Sequence, residues 1–280
     1  MEIITSRHNP IIKEIRELKK RAARDKLGLA FVEGRRLVQE ALGVSGVEIK
    51  TLCVSESFAG GAGLEEFEKA AASGKTRLII LPDDVYGTVS DTKQPQGILA
   101  VVRMHEYALR DLTMNRRSPG RLLILDRVSD PGNVGAMMRT AAAAGFSGVI
   151  LSEGCADIYS PKVMRATMGA IFRIPFMRDA DLASAFEELK SFDYKIYASH
   201  AATTDNDSQD CFKASLCDGN AALVIGSEAL GIDPLLTGQC DGALSIPMPG
   251  GAESLNAGVA AGILMYEFVR RDLIRAGALE

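Results

Sequence analysis

The chain has 280 residues and a net charge of −4, with 47% hydrophobic and 24% charged side chains. These are the proportions of an ordinary globular protein, not of a disordered chain or one that coats itself in nucleic acid. The length suffices for one or two hydrophobic cores. The charge is uneven: residues 1–36 hold ten Lys/Arg against five Asp/Glu, leaving 22 of the 32 basic and 31 of the 36 acidic side chains to the rest. Such asymmetry predicts one anion-facing surface on an otherwise acidic body.

From Asn9 to about Leu27, Ile11, Ile12, Ile15 and Leu18 recur on a helical period. LAFVE (29–33) reads as a strand, and Gly34 opens a helix to about Leu42. Strands follow at 48–55, 77–81 and 97–103, with a helix over 62–73. This amino-terminal part, 1–106, is a small α/β domain. Residues 107–120 are polar, end in Ser-Pro-Gly and read either as a linker or as a surface helix.

From 121 to 280 short apolar runs alternate with helical stretches. Strands are predicted at 122–126, 148–152, 172–176, 194–199, 222–226 and 243–247. Helices are predicted at 133–144, 160–167, 181–190 and 254–271. Continuous apolar strands alternating with helices predict a parallel sheet covered on both faces. Residues 201–220 form a long polar connection, read as a lid or substrate loop.

Five cysteines, at 53, 155, 211, 217 and 240, show no Cys-x-x-Cys spacing, and none of the three histidines lies four residues from another. The expectation is reduced thiols in a cytoplasmic protein with no metal site. No apolar run is long enough for a membrane helix, and the amino terminus lacks the apolar core of a signal peptide.

Three strand-to-helix junctions carry the chemistry. The first is DRVSDPGNVGAMMRTAAAAG (126–145), where Gly132 and Gly135 allow close backbone approach and Arg139 sits among apolar and small residues. A buried arginine needs a partner, so Arg139 either serves a site or pairs with a structural carboxylate. The second is LVIGSEALGI (223–232), where Glu228 reads as a partner for Arg139 or as part of a helix cap. The third is LSIPMPGGAESLNAG (244–258), in which Ser254 and Asn256 suit a helix start. Ligands of parallel α/β sheets gather at such strand ends. The G-x-G-x-x-G fingerprint of a dinucleotide-dependent oxidoreductase is absent.

Taken together, in this order, the three junctions resemble the motifs of the SpoU/TrmH family of the SPOUT superfamily of RNA ribose methyltransferases. Ala229 stands where glycine is frequent in that family, and Ala257-Gly258 replaces a more usual Val-Ser. The resemblance implies a parallel-sheet domain threaded as a deep trefoil knot. It also implies S-adenosyl-L-methionine as methyl donor, a ribose 2′-oxygen as acceptor and a homodimer. It places catalytic roles on Arg139, Asn133, Glu228, Ser254 and Asn256, and cofactor contacts on Gly226, Ile246, Met248, Leu255 and Ser199. Arg139 would act either as a general base or as a phosphate clamp, and Glu228 would hold Arg139 or Asn133 in place.

Residues 1–103 resemble the family's substrate-binding domain, a ribosomal-protein-like fold, in members that act on large-subunit ribosomal RNA. Transfer RNA and a catalytically silent ribosome-assembly role are the alternatives. Arg16, Lys19, Lys20, Arg21 and Arg24 are the expected RNA contacts, against a plain solvated helix face.

Overall fold

A computed structural model of the chain describes residues 2–61, 63–72, 76–114, 119–200 and 208–279. The chain divides into two compact units, residues 1–105 with 157–172, and 106–156 with 173–280.

In the first unit β1 (Glu2–Ile3) leads to α1 (Pro10–Glu17) and α2 (Arg21–Leu27). The side chain of Asn9 caps α1 by accepting from the Ile11 N–H at 2.9 Å, and Pro10 supplies the first helical φ. The sequence pattern suggests one helix through 9–27, but the helix breaks at 18–20. Arg24 causes the break: its Nη1 donates to the carbonyls of Leu18 at 2.7 Å and Lys19 at 2.9 Å, satisfying acceptors that a continuous helix would use. Then come β2 (Leu29–Glu33), α3 (Arg35–Gly43), β3 (Ile49–Ser55), α4 (Glu56–Ala59), α5 (Glu65–Ala71), β4 (Arg77–Leu81), α6 (Asp83–Val89) and β5 (Ile98–Arg103). The strands form a five-stranded sheet in the order β1-β4-β3-β5-β2, with β5 antiparallel to both neighbours. Ile12, Ile15, Leu18, Phe31, Ile79 and Tyr86 fill the core on one face.

Residues 157–172, continuous in sequence with the second unit, pack with the first. Their helix, Pro161–Ala166, lies against β2. Asp157 binds Arg24, and Arg165 pairs with Asp91 at 3.0 Å. Arg24 is 3% exposed. Its placement among RNA contacts is therefore corrected: it is a buried structural residue whose charge is spent on Asp157 and two carbonyls.

The second unit begins with α7 (Leu109–Thr113), a helix inside the stretch read as linker or surface helix. Leu109 and Leu112 are buried in this unit's core. Residues 115–118 of that stretch lie outside the described residues. Next are β6 (Arg121–Asp126), α8 (Pro131–Ala144), β7 (Gly148–Ser152), α9 (the Pro161–Ala166 helix of the first unit) and β8 (Phe176–Ala180). The strand predicted at 172–176 starts later. Residues 170–172 form a 3-10 turn, and Pro175, which has no N–H to give a ladder, precedes the strand. The chain continues through α10 (Leu182–Ser191), β9 (Lys195–His200), β10 (Gln209–Asp210), β11 (Ala221–Gly226), α11 (Pro234–Thr237), β12 (Gly242–Ser245) and α12 (Ala257–Arg275).

These strands form a wholly parallel seven-stranded sheet in the order β10-β12-β9-β11-β6-β7-β8. In β6, Leu122 and Ile124 face the cluster under α7 and α10, while alternate residues face α8 and α12. α12 is fixed at its far end by Arg121, which pairs with Asp272 at 2.7 Å and lies over the Phe268 ring. Of the 201–220 connection, residues 201–207 fall outside the described residues. The part that follows carries β10 and the buried Cys211. All five cysteines are unpaired, and burial pushes the Cys53 thiol up to about 12.

Candidate active site

Central strands β6 and β11 end in register, Asp126 opposite Gly226. Each then opens into one of the glycine-containing junctions. In the first, Asp130 caps α8 by accepting from the Asn133 N–H at 2.8 Å, which sets Asn133 at the helix start. Asp126, 3% exposed, anchors the loop from below. It accepts from Arg127 Nε at 3.0 Å and Nη2 at 2.8 Å, and from the Asp233 N–H at 2.9 Å. Those hydrogen bonds from Arg127 to Asp126 hold the guanidinium above its usual pKa.

The second junction folds back on itself. The Gly231 N–H donates to the Ser227 carbonyl at 2.9 Å, and a Cβ added at Gly226 would stand 2.2 Å from the Gly231 carbonyl carbon. Only glycine fits there, because the obstacle is backbone. In the third, Asn256 caps α12 by accepting from the Val259 N–H at 3.2 Å. Gly258 has no side chain to intrude: a Cβ there would lie 3.1 Å from the Asn256 Oδ1 and 3.3 Å from the Asn133 Oδ1.

One hydrogen-bond chain ties the three junctions together. Asn256 Nδ2 donates to Asn133 Oδ1 at 3.0 Å, and Asn133 Nδ2 donates to Glu228 Oε1. Of the two partners expected for Glu228, Arg139 and Asn133, the structure pairs it with Asn133 and not with Arg139. Arg139 is exposed and makes no hydrogen bond or ion pair among the described residues. The reason is its azimuth on α8. Gly132, Ala136, Arg139 and Ala143 form one outward stripe, while Val134, Met137, Met138 and Ala141 turn inward. Water solvates the guanidinium, so it needs no buried partner.

Beside this chain lies a cavity of about 430 Å³. Gly226, Ile246, Met248, Leu255 and Ser199 all line it, as do Ser254 and Glu228. His200, Ile232, Glu253 and Leu264 also line it and are not among the expected site residues, although Ile232 and Glu253 fall inside the second and third junctions. His200 and Ile232 could be found as neighbours of strand ends; Glu253 carries no local signal beyond its place beside Ser254. The lining combines apolar side chains with the Glu228 and Glu253 carboxylates and serine hydroxyls, and the volume is that of a small-molecule site.

Of the expected RNA contacts, Lys20 is paired with Glu17 at 2.8 Å and Arg21 with Asp25 at 3.4 Å. Lys19 Nζ donates to the Ser90 carbonyl at 2.5 Å, and Arg16 to the Arg7 carbonyl at 3.5 Å. Among the described residues no group of His, Cys, Asp and Glu could hold a metal ion, and no helix is long and apolar enough to cross a membrane.

This architecture is that of known methyltransferases. The chain matches the SpoU rRNA Methylase family over residues 120–266 and the MRM3-like substrate binding domain over 9–100. It is 34% identical to the 23S rRNA (guanosine(2553)-2′-O)-methyltransferase RlmP of Bacillus subtilis, over 95% of this chain and 98% of that protein. The crystal structure of an AdoMet-bound rRNA methyltransferase from Sinorhizobium meliloti superposes with a TM-score of 0.82 at 30% identity, covering 97% of this chain and 98% of that one. The SpoU methyltransferase AviRb from Streptomyces viridochromogenes, in complex with AdoMet, gives 0.82 at 26% identity over 95% and 99%. The chain belongs to the SpoU rRNA methylase family, and so to the RNA ribose methyltransferases that use S-adenosylmethionine.

The cavity suits that cofactor. Ile232, Ile246, Met248, Leu255 and Leu264 offer an apolar slot for an adenine, and the Glu228 and Glu253 carboxylates suit a cationic sulfonium or ammonium.

Proposed function

We propose that this chain methylates a ribose 2′-oxygen of large-subunit ribosomal RNA, with the three junctions as its active site. The observation that carries the reading is the Asn256–Asn133–Glu228 chain, which locks the three junctions around one cavity. RlmP, by its name, performs this reaction on 23S rRNA, and that name favours ribosomal RNA over transfer RNA.

Bound S-adenosylmethionine supplies an activated, positively charged methyl group. What remains for the protein is to orient the 2′-hydroxyl and stabilise the charge that develops on it. Gly226, Ile246, Met248, Leu255 and Ser199 hold the cofactor. Asn133 and Asn256 fix the junctions, and Ser254 presents a hydroxyl to the ribose. Arg139 is a poor base because a guanidinium keeps its proton at neutral pH. It clamps the phosphate next to the target ribose and stabilises the 2′-oxygen as its proton passes to solvent water and the methyl group is transferred to it. Calorimetry with S-adenosylmethionine, followed by transfer of a labelled methyl to ribosomal RNA, tests this assignment. Binding without transfer to any RNA would favour the silent assembly factor.

The reading includes the trefoil threading. β12 sits beyond β9, yet the helix after it returns to pack on α8 and β11, so the chain doubles back across the strand ends. It also includes a cytoplasmic homodimer. Unpaired thiols fit a reducing compartment. α8 and α12 lie side by side, and their outer surface presents Ala136, Arg139 and Ala143 with Val259 at 52% and Tyr266 at 50% exposure. A second copy on this face would cover apolar side chains and bring Arg139 into a closed site. Light scattering at micromolar concentration should give twice the 29.9 kDa chain mass; a 29.9 kDa species would contradict the dimer.

A further inference from the structure

The cations expected to hold RNA are largely occupied. Along α1 and α2, Lys20 and Arg21 are neutralised by carboxylates of their own helices, and Arg24 is buried. Elsewhere in the first unit, cations without carboxylate partners gather around one loop, residues 90–97.

That loop is held from beneath. Glu33, 5% exposed at the end of β2, accepts from the Ser90 hydroxyl, from the Asp91 N–H at 2.9 Å and from the Thr92 hydroxyl at 3.2 Å. Its charge is thereby spent on the loop. Gly34, at φ +102°, swings the chain out of β2 into α3, leaving Arg35 and Arg36 exposed on the first turn. The Arg35 N–H donates to Gln96 Oε1 at 2.8 Å, which fixes that turn against the loop. Lys93 projects from the loop itself. Lys19 reaches in from the end of α1 to the Ser90 carbonyl. On the remaining side, Arg165 pairs with Asp91, and Lys162 stands exposed one turn earlier on the same helix. Arg35, Arg36, Lys93 and Lys162 make no side-chain hydrogen bond or ion pair among the described residues.

We propose that this patch, Lys19, Arg35, Arg36, Lys93, Lys162 and Arg165 around the 90–97 loop, is the surface on which the first unit grips RNA phosphates. The inference rests on the methyltransferase reading and locates its substrate-binding surface. Four separate chain segments converge there, including 157–172 from within the methylase half of the sequence. On a protein of net charge −4, a pre-positioned set of cations, four of them (Arg35, Arg36, Lys93 and Lys162) unpaired among the described residues, suits a polyanion, whereas cations already paired with neighbouring carboxylates gain little from one. Phosphate contacts of this kind position the RNA without reading its bases.

The test is a salt titration of full-length protein binding to a large-subunit ribosomal RNA fragment, from about 50 to about 200 mM salt. Removing one cation that touches a phosphate of single-stranded RNA should flatten the log–log slope by about 0.7. The triple variant Arg35→Gln/Arg36→Gln/Lys93→Gln should therefore flatten it by about 2, making its affinity deficit about 20-fold larger at the low-salt end than at the high. Lys162→Gln alone should flatten it by about 0.7, while Lys20→Gln/Arg21→Gln should change it by less than about half a unit. S-adenosylmethionine affinity, measured on each variant, should stay at the wild-type value and reports intact folding. A wild-type slope in the triple variant, or a flattened one in Lys20→Gln/Arg21→Gln alone, overturns the patch while leaving RNA binding in place. Absence of salt-dependent RNA binding by the wild type would sink the RNA reading and the patch with it.

Discussion

Arg139→Ala should bind S-adenosylmethionine as the wild type does yet transfer its methyl group about 10²–10⁴-fold more slowly. The two halves of this result follow from geometry. Arg139 is absent from the cavity lining, so truncating it leaves the cofactor walls intact. Its side chain is exposed and unpaired among the described residues, so little folding energy goes with it. What disappears, on the proposed reading, is the charge that meets the RNA. Single-turnover transfer under saturating cofactor measures the chemical step directly, and a rate within about threefold of wild type would remove Arg139 from the mechanism. Arg139→Lys separates charge from shape. A lysine keeps the positive charge but not the planar fork, so a bidentate clamp should be only partly restored.

Ile246→Arg should abolish cofactor binding. Ile246 is 8% exposed, follows β12 and lines the cavity. An arginine there would put a bulky charge into an apolar slot that must also accept an aromatic ring. The loss in affinity should be at least about 100-fold, about 2.7 kcal/mol. Ile246→Val, which keeps shape and polarity, should cost less than about fivefold. Calorimetry on both variants, with circular dichroism to verify folding, checks this. An Ile246→Arg protein that is folded and binds normally would place the cofactor elsewhere.

Much of the fold and site is legible in the sequence because it is local. LLILD and ALVIG read as buried parallel strands and are the two central ones. The three junctions stand out through Pro, Gly and Asn, residues whose turn and cap chemistry acts within a few positions. The residues expected at the cofactor share one cavity because each lies at or beyond the carboxyl end of β9, β11 or β12, three neighbouring strands.

What sequence does not show depends on contacts between distant segments. The break at 18–20 is made by Arg24 reaching back to α1 while Asp157, far along the chain, holds its other end. The packing of 157–172 with the first unit depends on that pair and on Arg165–Asp91. Arg139 misleads for a different reason. Its neighbours are apolar and small, but composition does not give azimuth. The alternation of Val134, Met137, Met138 and Ala141 with Ala136, Arg139 and Ala143 turns it outward. Sequence offers both Arg139 and Asn133 as partners of Glu228; the choice of Asn133 follows only once β6 and β11 lie side by side.

The mechanism stands on the acceptor being a ribose 2′-oxygen of large-subunit ribosomal RNA. The direct test is to incubate the protein with labelled S-adenosylmethionine and ribosomal RNA from cells lacking the enzyme, then to hydrolyse the product in alkali. A methylated 2′-oxygen cannot attack the adjacent phosphate, so label should appear in a single alkali-resistant dinucleotide from the large-subunit RNA. Label recovered in ordinary mononucleotides, as a methylated base would give, or confined to transfer RNA, would contradict it.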